Sequence, residues 1–140
     1  MVRWSHVALN CGDLDTTEKF YTELFGFHRA NEFTVGSMSI VFLRLGDARL
    51  ELFCDPAAAP QAPGTAGQDG PDVRGTVRHV AFQVDDLAKF LAGPAATAEV
   101  TLGPLDFAEF IPGWRTVWLR DPDGVVVEVS QGYRDAAAYP

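Results

Sequence analysis

The chain has no run of eighteen apolar residues, and its opening "MVRWSH" has no basic segment leading into an apolar stretch. Neither a membrane-spanning helix nor a secretory leader is therefore expected, and a cytoplasmic location is. Basic residues are scarce: 11 Lys and Arg stand against 19 Asp and Glu, for a formal net charge of −8, with no Lys/Arg cluster to offset it. Such a balance repels phosphate backbones and argues against nucleic acid as a partner. Cysteine is nearly absent, and Cys11 and Cys54 match no zinc spacing. Both are expected to be free structural thiols. Only three histidines occur, so a histidine that recurs at an equivalent position carries information.

With 47% apolar and 21% charged residues in 140, the composition is that of one globular domain with a sizeable core. The chain says nearly the same thing twice. "SHVALN" at 5–10 and "RHVAFQ" at 78–83 align on His6 and His79, each followed seven residues later by Asp-Leu, at 13–14 and 86–87. Downstream, "RLELF" (49–53) and "VVEVS" (126–130) each set one glutamate, Glu51 or Glu128, between apolar neighbours. The His-to-Glu separations are 45 and 49 residues, so a unit of roughly fifty residues is used twice.

Each unit reads as β-α-β-β-β. In the first, "WSHVALNC" alternates as a strand, and "LDTTEKFYTELFGF" places Leu14, Phe20, Tyr21, Leu24 and Phe25 on one helical stripe that Gly26 stops. "EFTVG", "MSIVFLRLG" and "ARLELFC" follow as strands. The second unit has "VRHVAFQV", a shorter helix across "DLAKFLAG", a weak strand near "EVTLG", then "WRTVWLR" and "VVVEVSQ" joined by the turn "DPDG". Module one is placed at about 3–54, a Pro/Ala/Gly-rich linker at about 55–75, module two at about 76–133 and a tail at 134–140.

Alternation along a strand sets the histidines on the face of small or amide residues (Ala8 and Asn10; Ala81 and Gln83), away from the apolar face a helix would cover. A carboxylate in a strand as apolar as those of Glu51 and Glu128 is costly without compensation. An ion pair with an arginine, or plain exposure on the wet face of a half-buried sheet, would supply that compensation. So would a metal, because two imidazoles and two carboxylates suit a borderline divalent ion such as Ni, Zn, Co, Mn or Fe(II) and leave positions for substrate.

The stretches "HVALNCGDLDTTEKFYTELFGF" and "WRTVWLRDPDGVVVEVSQ" resemble the opening strand and helix and the closing hairpin of the vicinal oxygen chelate superfamily. That superfamily includes glyoxalase I, methylmalonyl-CoA epimerase, extradiol dioxygenases and bleomycin-binding proteins. The resemblance covers residues 3 to 133. It implies an α+β fold of two βαβββ modules forming an open, cup-shaped half barrel with helices outside, assembled as a homodimer. It implies one divalent metal per site on His6, Glu51, His79 and Glu128, in an order like that of bacterial glyoxalase I.

The implied activity is that of a lyase or isomerase moving a proton next to a carbonyl through a metal-stabilised enediolate or enolate, with Glu128 the first choice of base and Glu51 the second. The implied ligand is a small carbonyl or aromatic compound, with Trp4, Asn10, Thr116, Trp118 and Arg115 as candidate contacts. Asn10 stands where glyoxalases of this kind usually carry an arginine for the glutathione carboxylate. Two other readings stay open: an Fe(II)-dependent extradiol-type dioxygenase using His6, His79 and Glu128, and a non-catalytic antibiotic-binding protein of the bleomycin-resistance kind.

Overall fold

A computed structural model describes residues 1–62 and 67–138. The chain divides into two compact units, Met1–Gln61 and Ala62–Pro140. In the first, β1 (Val7–Asn10) leads to helix α1 (Leu14–Phe25) and then to β2 (His28–Val35), β3 (Met38–Leu45) and β4 (Ala48–Cys54). The second repeats the order with β5 (Val80–Gln83), α2 (Leu87–Ala92), β6 (Glu99–Asp106), β7 (Arg115–Arg120) and β8 (Val126–Gln131).

Each unit forms one open, mixed four-stranded sheet, in the orders β1-β4-β3-β2 and β5-β8-β7-β6. The first strand of each runs parallel to the last, and the other pairs are antiparallel. The architecture is α+β, as expected from the resemblance.

The core of each unit follows from the two-residue alternation of its central strands. In the first, Val41 and Leu43 of β3 lie opposite Leu52 and Leu50 of β4, and all four are buried with Tyr21 and Thr17 of α1. Thr17 is a polar residue outside the expected stripe. In the second, Val117 and Leu119 of β7 lie opposite Val129 and Val127 of β8, buried with Leu87 and Phe90 of α2. The helices start where expected: the Asp13 and Asp86 carboxylates accept from the backbone N–H of Thr16 and Lys89. Gly26, at φ 81, ends α1 in the left-handed conformation.

The elements differ from expectation at their ends. β1 begins at Val7, not Trp4, because its ladder to β4 opens at Val7↔Leu50, close to where β4 itself begins. β2 reaches back to His28 through Arg29, Ala30 and Asn31, all of them exposed. β6 extends to Asp106, past Pro104, with register shifts between Val100 and Leu102 and between Leu102 and Leu105. Both are edge strands, which need backbone partners on one side only and tolerate proline and bulges.

The expected linker is divided. Residues 55–61 fall in the first unit, and the stretch from Gly67 belongs to the second. Residues 63–66 lie outside the described residues. Neither cysteine is in a disulfide; Cys11 is buried and Cys54 half-buried. Among the described residues no helix is long and apolar enough to cross a membrane.

Candidate functional site

Each unit brings one histidine and one glutamate together. His6 immediately precedes β1, and Ala8 of β1 pairs with Glu51 of β4. His79 immediately precedes β5, and Ala81 pairs with Glu128 of β8 in the same register. Both histidines therefore stand two residues before the partner of the glutamate, on the glutamate's face of the sheet. His6 Nε2 lies 3.0 Å from Glu51 Oε2, and His79 Nε2 lies 2.7 Å from Glu128 Oε2. Both carboxylates are only 14% exposed, and the imidazoles 33% and 21%. Among the described residues neither glutamate is paired with an arginine; in each unit the imidazole stands against the carboxylate.

The neighbours of the two pairs differ. Phe42 lies opposite Glu51 across β3 and β4 and sets its ring edge-on to His6 at 5.2 Å. Trp118 lies opposite Glu128 across β7 and β8, with its ring 6.4 Å from His79. Trp118 is 7% exposed, and its indole N–H has no partner among the described residues. The buried Thr116 hydroxyl lies 2.9 Å from Glu128 Oε1 and 3.2 Å from the Val129 carbonyl oxygen. By register, the residue in the Thr116 position of the first unit is Ile40, which has no hydroxyl to offer Glu51.

The other nitrogens of the rings meet different partners as well. His79 Nδ1 lies 2.8 Å from the main-chain carbonyl of Asp69, whereas His6 Nδ1 lies 2.8 Å from the Ser5 hydroxyl. A carbonyl only accepts, so His79 Nδ1 carries the proton. Its Nε2 then faces a carboxylate oxygen, an arrangement satisfied by a second ring proton or by a cation between nitrogen and oxygen. The donor atoms of both pairs are those a borderline divalent ion takes. Among the described residues, no three or more His, Cys, Asp or Glu side chains stand grouped to hold a metal ion; each unit assembles two.

The remaining sequence candidates lie nearer the surface. Trp4 precedes the sheet and is 76% exposed. Asn10, the last residue of β1, and Arg115, the first of β7, are exposed. Sequence reasoning missed Phe42, although it occupies in the first hairpin the place of Trp118 in the second. It also missed the Asp69 carbonyl, since a main-chain group has no residue-type signal.

Two βαβββ units, each closing a His–Glu pair between its first and last strands, define a paired-module α+β protein with a duplicated donor set. The sequence model of the Glyoxalase/Bleomycin resistance protein/Dioxygenase superfamily matches residues 3–129, and the chain belongs to that superfamily. It is 31% identical over 139 residues to a protein of Vibrio parahaemolyticus named "Probable lactoylglutathione lyase", covering 94% of this chain and 92% of the relative. A Vibrio cholerae protein of the same name is 32% identical over 135 residues, covering 90% and 88%. Among solved structures, a glyoxalase family protein from Enterococcus faecalis superposes with a TM-score of 0.70 at 27% identity, covering 92% of this chain and 97% of that one.

Proposed function

We propose that the protein is a glyoxalase-type lyase that uses one divalent metal ion, with His6, Glu51, His79 and Glu128 as the donor set and a small carbonyl compound or thioester as substrate. The observation that carries this reading is the duplicated contact of imidazole Nε2 with carboxylate Oε2, at 3.0 and 2.7 Å. The names of the two Vibrio relatives support the reaction class. When bound, such an ion supplies Lewis acidity toward substrate oxygens.

The chain's own part is proton movement. Glu128 takes a proton from the carbon beside the carbonyl and returns it to the former carbonyl carbon, while the hydroxyl proton of the first carbon passes to the oxygen of the second, so the net reaction is an isomerisation that neither gains nor loses a proton. Thr116 orients that carboxylate by hydrogen bonding to Oε1, which leaves Oε2 on the side of His79. Glu51 lacks a corresponding hydroxyl neighbour and serves mainly as a donor to the ion.

Elemental analysis after chelation and reloading with Ni, Zn, Co, Mn or Fe(II) tests the reading. About one ion per donor set is expected, with occupancy lost in Glu51→Ala and His79→Ala. Formation of lactoylglutathione from methylglyoxal and glutathione then tests the substrate. Glu128→Gln should lower kcat on the order of 100-fold or more. Absence of bound ion under every loading condition would overturn the metal reading, and retention of iron indifferent to Glu51 would favour ring cleavage instead.

A further inference from the structure

We propose that the segment Gly67–Asp72 is a clasp that positions His79, with the Asp69 carbonyl as its contact and Gly70 as the residue that makes the contact possible. The segment falls in the stretch that composition marks as linker, yet it is tied to the second unit at successive residues. The Asp69 carbonyl meets His79 Nδ1 at 2.8 Å. The Thr101 hydroxyl on β6 donates to the Gln68 carbonyl. Arg78, the residue before His79, reaches both oxygens of Asp69 at 3.2 Å with Nη1 and Asp72 Oδ1 at 3.0 Å with Nη2.

Steric fit at Gly70 is the strongest of these ties. Its φ is +114, and a Cβ there would lie 1.7 Å from the Arg78 carbonyl oxygen. Only glycine allows the segment to lie this close to the chain entering β5. The Arg78 ion pairs are half-exposed or more and so contribute little by themselves. Close backbone approach, rather than charge, is what sets the Asp69 carbonyl against the ring.

Among the described residues the first unit has no counterpart. His6 Nδ1 meets the hydroxyl of its sequence neighbour Ser5, which can donate or accept and so does not fix the ring's proton. The clasp thus makes His79–Glu128 the preorganised pair and leaves His6–Glu51 the adaptable one. A fixed Nδ1 proton keeps the Nε2 lone pair available on the glutamate side, which is what a metal-binding imidazole needs. To that extent the inference rests on the proposed metal function.

The test uses the full chain labelled with 15N. In metal-free protein the His79 Nδ1–H, held on the Asp69 carbonyl, should give a resolved, slowly exchanging signal, whereas exposed His28 should not. Gly70→Ala should abolish that signal and weaken Zn(II) binding about tenfold. Thr101→Val, a milder change that loosens the segment from β6, should move both readouts the same way by less, and it decides the matter if Gly70→Ala does not fold. Exchange at His79 as fast as at His28 in the parent would overturn the clasp, as would unchanged signal and affinity in the folded variants. If the parent binds no zinc, the proposed metal function falls, and the proton signal alone still decides the clasp.

Discussion

Thr116 is buried in the second sheet beside a glutamate that is itself mostly removed from water. Its one hydroxyl proton lies between two acceptors, Glu128 Oε1 at 2.9 Å and the Val129 carbonyl at 3.2 Å, with the nearer carboxylate the principal one. Thr116→Val keeps the shape and removes the donor, so the carboxylate loses the group that orients it. A stability loss of about 1 kcal/mol is expected, read as a fall of roughly 3–5 °C in Tm, together with a lower kcat at little-changed ion affinity. A variant with parental kcat would show that Thr116 only packs. The residue was legible as a candidate in the sequence; its role was not. Thr116 and Glu128 are diagonal neighbours across two strands, and such a pair exists only once the register Thr116↔Ser130 and Trp118↔Glu128 is set.

At the scale of elements, the helices were the most legible parts because caps and stripes are local. Asp13 illustrates the consequence. Its carboxyl is held below the ordinary carboxylate value first by the backbone N–H of Thr16, then by the Thr16 side chain. A lowered native value means that its contribution is fully present above the unfolded-state pKa. The contribution is lost as pH falls through the native one. Asp13→Asn keeps a capping acceptor without the titration, so urea melts across the acid range should show a flatter pH dependence for the variant than for the parent. Equal slopes would remove Asp13 from the acid response.

The edge strands were the least legible elements. β2 carries His28, Arg29, Asn31 and Glu32, a run with no alternation to detect, and it is held by its ladder to β3. It is also held by Arg29, whose Nε donates to Glu18 Oε1 of α1 at 2.9 Å and whose Nη1 reaches Glu32. By sequence alone Glu18, close behind Asp13 and Asp15, reads as one more acid at the helix start. The fold uses it as an ion-pair partner, a contact between elements that local reading cannot see.

At the scale of the whole molecule, charge and duplication are the properties that matter. The formal net charge of −8 at neutral pH opposes non-specific association by like-charge repulsion, and it vanishes near the sequence pI of about 4.7. Turbidity across pH should therefore show a solubility minimum near that value; a minimum well away from it would mean that specific association dominates.

The sequence by itself determined the duplication, the βαβββ order, the two histidines and two glutamates at matching positions and the face each occupies. The duplication follows from a repeated motif, and the order and faces from periods of 2.0 and 3.6 residues written in side-chain type. Tertiary structure alone decided which neighbours make the pairs unequal: the Thr116 hydroxyl on Glu128, Phe42 beside His6 and Trp118 beside His79, and the Asp69 carbonyl on the His79 ring. These contacts depend on strand register and on a glycine's close approach. A main-chain carbonyl looks the same in every residue, so no reading of residue types could have found the last of them.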